Sequence, residues 1–88
     1  MKFLPIGTIV LLKEATKKVM IAGFLAAENE ESKDIYDYVG FPYPEGITSS
    51  KEFLLFNHDQ IKEVFYEGYK DESENALKNK FQKIIDNK

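Results

Sequence analysis

The chain has 88 residues, 43% of them apolar and 14% aromatic, and carries 12 Lys against 15 Asp and Glu. This length builds one small domain, and the composition is too hydrophobic for a disordered tail. The net charge of −3 and the absence of arginine argue against a nucleic-acid partner, and the absence of cysteine excludes disulfides and thiolate metal sites. Because no apolar run reaches the roughly 18–20 residues of a membrane span and no signal-peptide pattern opens the chain, we expect no membrane partner.

Two short apolar runs, residues 8–13 and 19–25, predict a β-hairpin. Both runs are almost entirely apolar, which is typical of strands covered on both faces. Residues 34–41 alternate and predict a third strand, which Pro42 and Pro44 should end because proline cannot donate a hydrogen bond to a sheet. Between the second and third strands, the acidic residues 28–34 predict a solvated loop, although they could also hold a cation or a basic partner.

The second half of the chain predicts two more strands and a helix. Residues 53–56 and 63–67 form the strands, with a helical turn capped by Asn57 between them. Asp71 caps the helix, and Glu74 follows as the second member of a capping box.

The helix carries apolar residues at helical spacing, and this stripe should pack on the sheet while lysines such as Lys78 face elsewhere. The stripe consists of Leu77, Phe81, Ile84 and Ile85.

These elements predict a mainly β fold with a C-terminal α-helix. We expect about five antiparallel strands in a small SH3-like, partly open barrel, because such closure limits exposed strand edges. Residues 1–70 form the β-barrel-like body in this prediction, and residues 71–88 form a helix packed on the body within a single domain. A small open sheet with the helix across one face is the alternative.

No residue pattern predicts catalysis or metal binding. His58 is the single histidine, and residues 57–59 could place it beside a carboxylate, but no serine lies in a strand–turn–helix elbow. Residues 71–75 imitate the start of a calcium loop, yet Ala76 and Gln82 replace the glycine and the glutamate that the loop requires. We therefore expect no catalytic residue, no metal site and no cofactor, and interpret His58 as a turn residue.

The aromatic segment around the third strand is the best candidate for a partner-binding site. Aromatic side chains with a polar tip are enriched at protein interfaces, and prolines reduce the entropy lost on binding. The candidate residues are Tyr36, Tyr38, Phe41, Pro42, Tyr43 and Pro44. Tyr43 is the strongest of them because it lies beyond the strand alternation, whereas Tyr36 and Tyr38 could instead complete the core.

The fifth strand places a large aromatic residue among charges. Alternation puts Val64 and Tyr66 on one face and Phe65 on the other, between Glu63 and Glu67. A phenyl ring on a charged face needs a cover, which the C-terminal helix could supply.

Four blocks of the sequence resemble one family. Residues 4–13, 36–46, 55–61 and 64–69 resemble, in this order, the opening, the two middle blocks and the last block of the domain of unknown function 4176 family of small bacterial proteins. The C-terminal helix lies outside the blocks.

The resemblance implies a small cytoplasmic protein encoded beside type VII secretion genes and toxins of the LXG kind. It implies an accessory role, as a chaperone or adaptor for a secreted toxin, and it implies no catalytic residue. We therefore expect a non-enzymatic protein-binding module whose partner is a protein such as a toxin encoded nearby. A small regulatory or nucleic-acid-binding barrel domain is the alternative, and an enzyme is the third possibility.

Overall fold

The computed structural model describes residues 3–27, 29, 31, 33–49 and 53–86. Within these ranges the chain forms five β-strands, one 3-10 turn and one α-helix. The elements are β1 (Ile9–Leu12), β2 (Val19–Ala26), β3 (Tyr36–Pro42), β4 (Leu54–Phe56), the 3-10 turn (His58–Gln60), β5 (Ile61–Tyr66) and α1 (Glu72–Asp86). The acidic loop expected around residues 28–34 lies partly outside the described residues, because Glu28 and Glu30 are not among them.

The five strands form one antiparallel sheet in the order β4-β3-β2-β1-β5. The prediction of a mainly β fold with a C-terminal helix is therefore confirmed. In the described part of the chain β4 and β5 occupy opposite edges and do not pair, so the sheet is not closed. No helix in the described ranges has both the length and the apolar character needed to cross a membrane.

The short connection between β4 and β5 forces the sheet to bend. A flat sheet would separate its two edge strands by four spacings of about 4.8 Å, or roughly 19 Å. Only residues 57–60 join the two edges, and three of these form the 3-10 turn, which rises about 2 Å per residue. Because this link spans no more than about 13 Å, the two edges must curve toward each other around the core.

Local hydrogen bonds fix the ends of the two helical elements. The backbone N–H of Asn57 donates to Oε1 of Gln60 at 2.8 Å, which holds the 3-10 turn. The backbone N–H of Glu74 donates to Oδ1 of Asp71 at 3.0 Å, so the predicted cap of the helix is confirmed.

The core lies on one face of the sheet and contains an aromatic cluster. Its fully buried apolar residues are Phe3, Val10, Val19, Ile21, Tyr38 and Phe56. Helix α1 packs against this core through Phe81 and Ile85. The Phe81 ring centroid lies 5.1 Å from that of Phe3 and 5.2 Å from that of Phe24, which are favourable distances for aromatic pairs.

The predicted stripe of α1 is only half right. Leu77 and Ile84 remain 39% and 50% exposed. The side chain of Lys78, expected to face elsewhere, is only 14% exposed and lies 2.6 Å from a Glu74 carboxylate oxygen. The buried face of the helix is therefore rotated from the predicted stripe toward Ile85 and Lys78, with Phe81 near its edge, and Leu77 and Ile84 lie on the solvent side of Phe81.

Strand β5 also differs from its prediction, because a bulge interrupts its alternation. Val64 pairs with the buried Val10, whereas Tyr66 pairs with Ile9, and the register shifts between these two pairs. Directly paired residues share a face and consecutive β1 residues point to opposite faces, so Val64 and Tyr66 do not share a face as predicted.

The expectation that α1 covers Phe65 is also wrong. The Phe65 ring is 45% exposed, and Nζ of Lys18 lies 4.6 Å from its centroid. A lysine ammonium over an aromatic ring is attracted by the ring quadrupole. The cover on one face of the Phe65 ring is therefore Lys18 and not the helix.

Candidate protein-binding surface

The face of the sheet opposite the core carries a set of apolar side chains, which we call the outer face. It is defined by Ile9, Leu11, Met20, Val39, Phe41 and Leu55. Strand pairing identifies these residues, because directly paired residues of antiparallel strands point to the same side. None of these six residues is among the half-buried residues that pack on the core.

One row of the outer face crosses four strands. Tyr66 of β5 pairs with Ile9 of β1, Ile9 pairs with Met20 of β2, and Met20 pairs with Phe41 of β3. Ile9, Met20 and Phe41 are each half-buried. Tyr66 is 64% exposed at the edge of the sheet. The row therefore ends in two aromatic rings with aliphatic side chains between them.

A second row lies beside the first. Gly23 pairs with Val39, and Val39 pairs with Leu55 of the edge strand β4. A Cβ built on Gly23 would lie 2.7 Å from Cγ1 of Val39, so the glycine leaves the space that this valine occupies. The two rows make a continuous apolar area on the side of the sheet that α1 does not cover.

The turn after β3 adjoins the outer face and is tied to the first hairpin loop. The backbone N–H of Tyr43 donates to the Lys18 carbonyl at 2.9 Å. Nζ of Lys17 lies 2.6 Å from a carboxylate oxygen of Glu45, and this ion pair lowers the pKa of Glu45 through its hydrogen bond. The aromatic ring at the centre of this turn, that of Tyr43, is 44% exposed.

The six predicted partner-binding residues divide between the two faces and the turn. Phe41 lies on the outer face, Tyr43 and Pro44 are exposed in the turn, and a cis peptide bond joins Tyr43 to Pro44. Pro42 pairs with Val19 of the core, and Tyr36 is half-buried opposite Ala26. The sixth residue, Tyr38, belongs to the core.

Tyr38 is fully buried and belongs to the core, which is the alternative that the sequence left open for this residue. Its hydroxyl accepts a hydrogen bond from the Leu4 N–H at 3.0 Å and lies 2.7 Å from Nδ1 of His58. Burial raises the pKa of Tyr38 to about 12, the nearby Asp37 charge adds to the increase, and the Leu4 hydrogen bond opposes it. The ring and its hydroxyl thus hold the N-terminal segment and the 3-10 turn together.

A polar depression lies at one end of the outer face. It is shallow, measures about 440 Å³ and is lined by Asp37, Asn57, His58 and Asp59. The His58 N–H donates to Oδ2 of Asp37 at 2.9 Å, and the Asp37 N–H donates to Oδ1 of Asn57 at 3.0 Å. Asp37 precedes Val39 by two residues and Asn57 follows Leu55 by two, so the depression continues the outer face along both strands.

His58 directs Nδ1 to Tyr38 rather than to Asp59, which does not match the general-base arrangement considered from the sequence. Within the described ranges, no group of three or more His, Cys, Asp and Glu side chains is arranged to hold a metal ion.

Most of the outer face was missed by sequence reasoning, although a signal for it was present. The nearly continuous apolar runs of β1 and β2 predict residues on both faces, and Ile9 and Met20 are the members that point outward. The depression had no such signal, because it forms only where β3 and β4 pair and bring Asp37 beside Asn57.

Comparison with known proteins identifies the family. No curated protein and no solved structure matches the chain. The model of a family described as a domain of unknown function, DUF4176, matches residues 3–77. This match includes all five strands, the 3-10 turn and the first turn of α1, and it ends before Phe81. The chain therefore belongs to the domain of unknown function 4176 family.

Proposed function

We propose that this protein is a non-enzymatic protein-binding module that uses its outer face and the adjoining turn as the binding surface. The observation that carries the proposal is the row from Tyr66 through Ile9 and Met20 to Phe41, which leaves apolar side chains on the side of the sheet away from α1. A contiguous apolar area on a small domain is typical of a protein interaction site. Exposed aromatic side chains, Tyr66 at one end of the row and Tyr43 in the adjoining turn, supply the residue type that dominates binding energy at interfaces.

The biological setting in this proposal is type VII secretion. Resemblance to the family supports a cytoplasmic chaperone or adaptor role for a toxin of the LXG kind encoded nearby. The outer face suits such a role, since a chaperone must hold apolar surface that its client later buries elsewhere.

The test is capture of candidate toxins by variants of the surface. The tagged protein is co-expressed with each LXG-type toxin encoded beside it, and the complexes are purified and quantified. Phe41→Thr and Tyr43→Ala should weaken capture, because they remove rings from the proposed surface. Tyr69→Ala is the matched control, since Tyr69 is 79% exposed and lies outside the outer face and the turn.

Two outcomes would contradict the proposal. One is that no toxin co-purifies with the wild-type protein, and the other is that Phe41→Thr and Tyr43→Ala capture as much toxin as Tyr69→Ala does. Thermal unfolding of each variant shows whether a loss of capture reflects a lost surface or a lost fold. Binding to generic DNA that weakens steeply with salt would instead support the nucleic-acid alternative.

A further inference from the structure

The outer face has properties that restrict what can bind there. Strands β1, β2 and β3 each have a paired neighbour on both sides. Their backbone N–H and C=O groups are therefore used in hydrogen bonds within the sheet. A partner that binds the outer face can contact only side chains there. An extended peptide would gain no backbone hydrogen bonds on this face, whereas an α-helix satisfies its own.

The dimensions of the face also favour a helix over a second copy of the chain. Measured along the curved sheet from β5 to β4, the face spans four strand spacings of about 4.8 Å, and from Asp37 to Phe41 it spans four residues of about 3.4 Å. These lengths give an area of about 19 by 14 Å, or roughly 260 Å². A standard protein interface buries about 800 Å² on each partner, whereas a helix is about 10–12 Å wide.

The charges around the face give the bound helix a direction. Asp37 and Asp59 line the depression at one end. Elsewhere on the face the charges are mixed: the Lys18 ammonium lies over Phe65, and the exposed Glu63 pairs with Leu11 and so points to the same side. A cation is therefore attracted most to the depression, whose described lining residues include two carboxylates and no lysine.

From these three features we infer that the outer face receives one amphipathic α-helix of a partner protein, with a basic residue of that helix seated in the depression beside Asp37 and Asp59. This inference rests on the proposed function and adds the chemistry of the partner. The apolar stripe of the helix lies on Val39, Leu55 and Phe41. About nine helical residues, at 1.5 Å each, span the 14 Å between Asp37 and Phe41.

The binding test uses two synthetic helical peptides as probes. Both carry the same leucine stripe over 14 residues, and they differ only in the last turn, which contains three lysines in the basic probe and three glutamates in the acidic one. Fluorescence anisotropy gives the Kd of each probe, and amide chemical shifts map where it binds. The basic probe should bind about tenfold more tightly than the acidic one, and its shifts should centre on β1, β2 and β3.

Charge-neutralising variants test the direction of binding. Asp37→Asn with Asp59→Asn should remove most of the preference for the basic probe, and Asp59→Asn alone should remove part of it. Asn at position 37 keeps an oxygen to accept the His58 N–H, and Asp59 is exposed, so both variants should fold. The control is Glu72→Gln with Asp86→Asn, which removes the same charge from exposed positions at the two ends of α1.

Several results would overturn the inference. Equal affinity for the two probes would do so, as would amide chemical-shift changes centred on the β5 edge or on α1. So would a control variant that reduces the preference for the basic probe as much as the double Asp variant does. Sedimentation that shows a dimer broken by Phe41→Thr would assign the face to a second copy of the chain.

Toxin capture separates this inference from the proposed function. If the double Asp variant still captures a toxin and Phe41→Thr does not, the binding surface stands and the basic helix is wrong. If the wild-type protein captures no toxin, the proposed function is wrong, whatever affinities the two peptide probes show.

Discussion

Replacement of Tyr38 by Phe tests whether one hydroxyl fastens the N-terminal segment and the 3-10 turn to the sheet. The change keeps the buried ring and removes only the oxygen that the Leu4 N–H and Nδ1 of His58 contact at 3.0 and 2.7 Å. Each hydrogen bond contributes about 1 kcal/mol, and a buried N–H left without an acceptor costs about 1 kcal/mol more. We therefore expect the free energy of unfolding to fall by about 2–3 kcal/mol.

The expected loss is large enough to measure by thermal unfolding. For a chain of this size, 1 kcal/mol corresponds to about 4–8 °C in Tm, so Tyr38→Phe should lower Tm by roughly 10–20 °C. Tyr69→Phe is the control, because Tyr69 is 79% exposed and should tolerate the change within about 0.5 kcal/mol. A loss below about 0.5 kcal/mol for Tyr38→Phe would refute the role assigned to the hydroxyl.

The wild-type protein and Tyr38→Phe should also differ in how their stability falls at alkaline pH. Burial raises the pKa of Tyr38 to about 12 from its ordinary 10.0. The folded state therefore holds the proton more tightly than the unfolded state, and the stabilisation is complete below about pH 10 and is lost as the pH rises toward about 12. Two pKa units correspond to about 2–3 kcal/mol.

Urea unfolding at pH 9 and pH 11.5 measures this effect. The wild-type protein should lose more stability between these two values than Tyr38→Phe does, since the variant lacks the titrating group. Equal losses in the two proteins would show that Tyr38 does not keep its proton through burial.

Three further substitutions test the packing and the surface. Phe81→Ala should lower the free energy of unfolding by about 2–4 kcal/mol in chemical unfolding, because it removes the ring that docks α1. Gly68→Ala should cost about 3 kcal/mol or more in the same assay, since a Cβ would lie 2.0 Å from the Ile6 carbonyl oxygen. Tyr43→Ala should change stability by less than about 1 kcal/mol while weakening toxin capture, because its ring is 44% exposed.

Matched variants make these three results decisive. Ile84→Ala, at a position 50% exposed on α1, should cost much less than Phe81→Ala, and equal costs would mean that α1 is not docked through Phe81. Gly46→Ala places its Cβ with nothing within 4 Å and costs only the strain of its positive φ of 74°, about 1–2 kcal/mol, so a loss as large as that of Gly68→Ala would contradict the steric argument. Unfolding of Tyr43→Ala would assign that ring to the core.

Much of the secondary structure follows from local signals in the sequence. The apolar runs predict β1 and β2, and the cap at Asp71 predicts the start of α1, within a residue or two of the observed bounds. The end of β3 depends on its pairing with β2, because Pro42 pairs with Val19 and is the last residue of the strand, although the sequence predicts that this proline ends it. These signals work because caps, turns and alternation depend on residues close in the chain.

Which face of each element is buried was decided only by the tertiary structure. Alternation along a strand defines two faces but does not say which one points inward. One bulged residue also moves the residues after it to the opposite face, as between Val64 and Tyr66. Likewise, only tertiary packing decides that the covered face of α1 includes Phe81 and Lys78 and leaves Leu77 exposed. The sequence determined the elements and the family, whereas the outer face and its depression depend on the registers of the strand pairs, including that of β1 with the distant β5, which no local signal specifies.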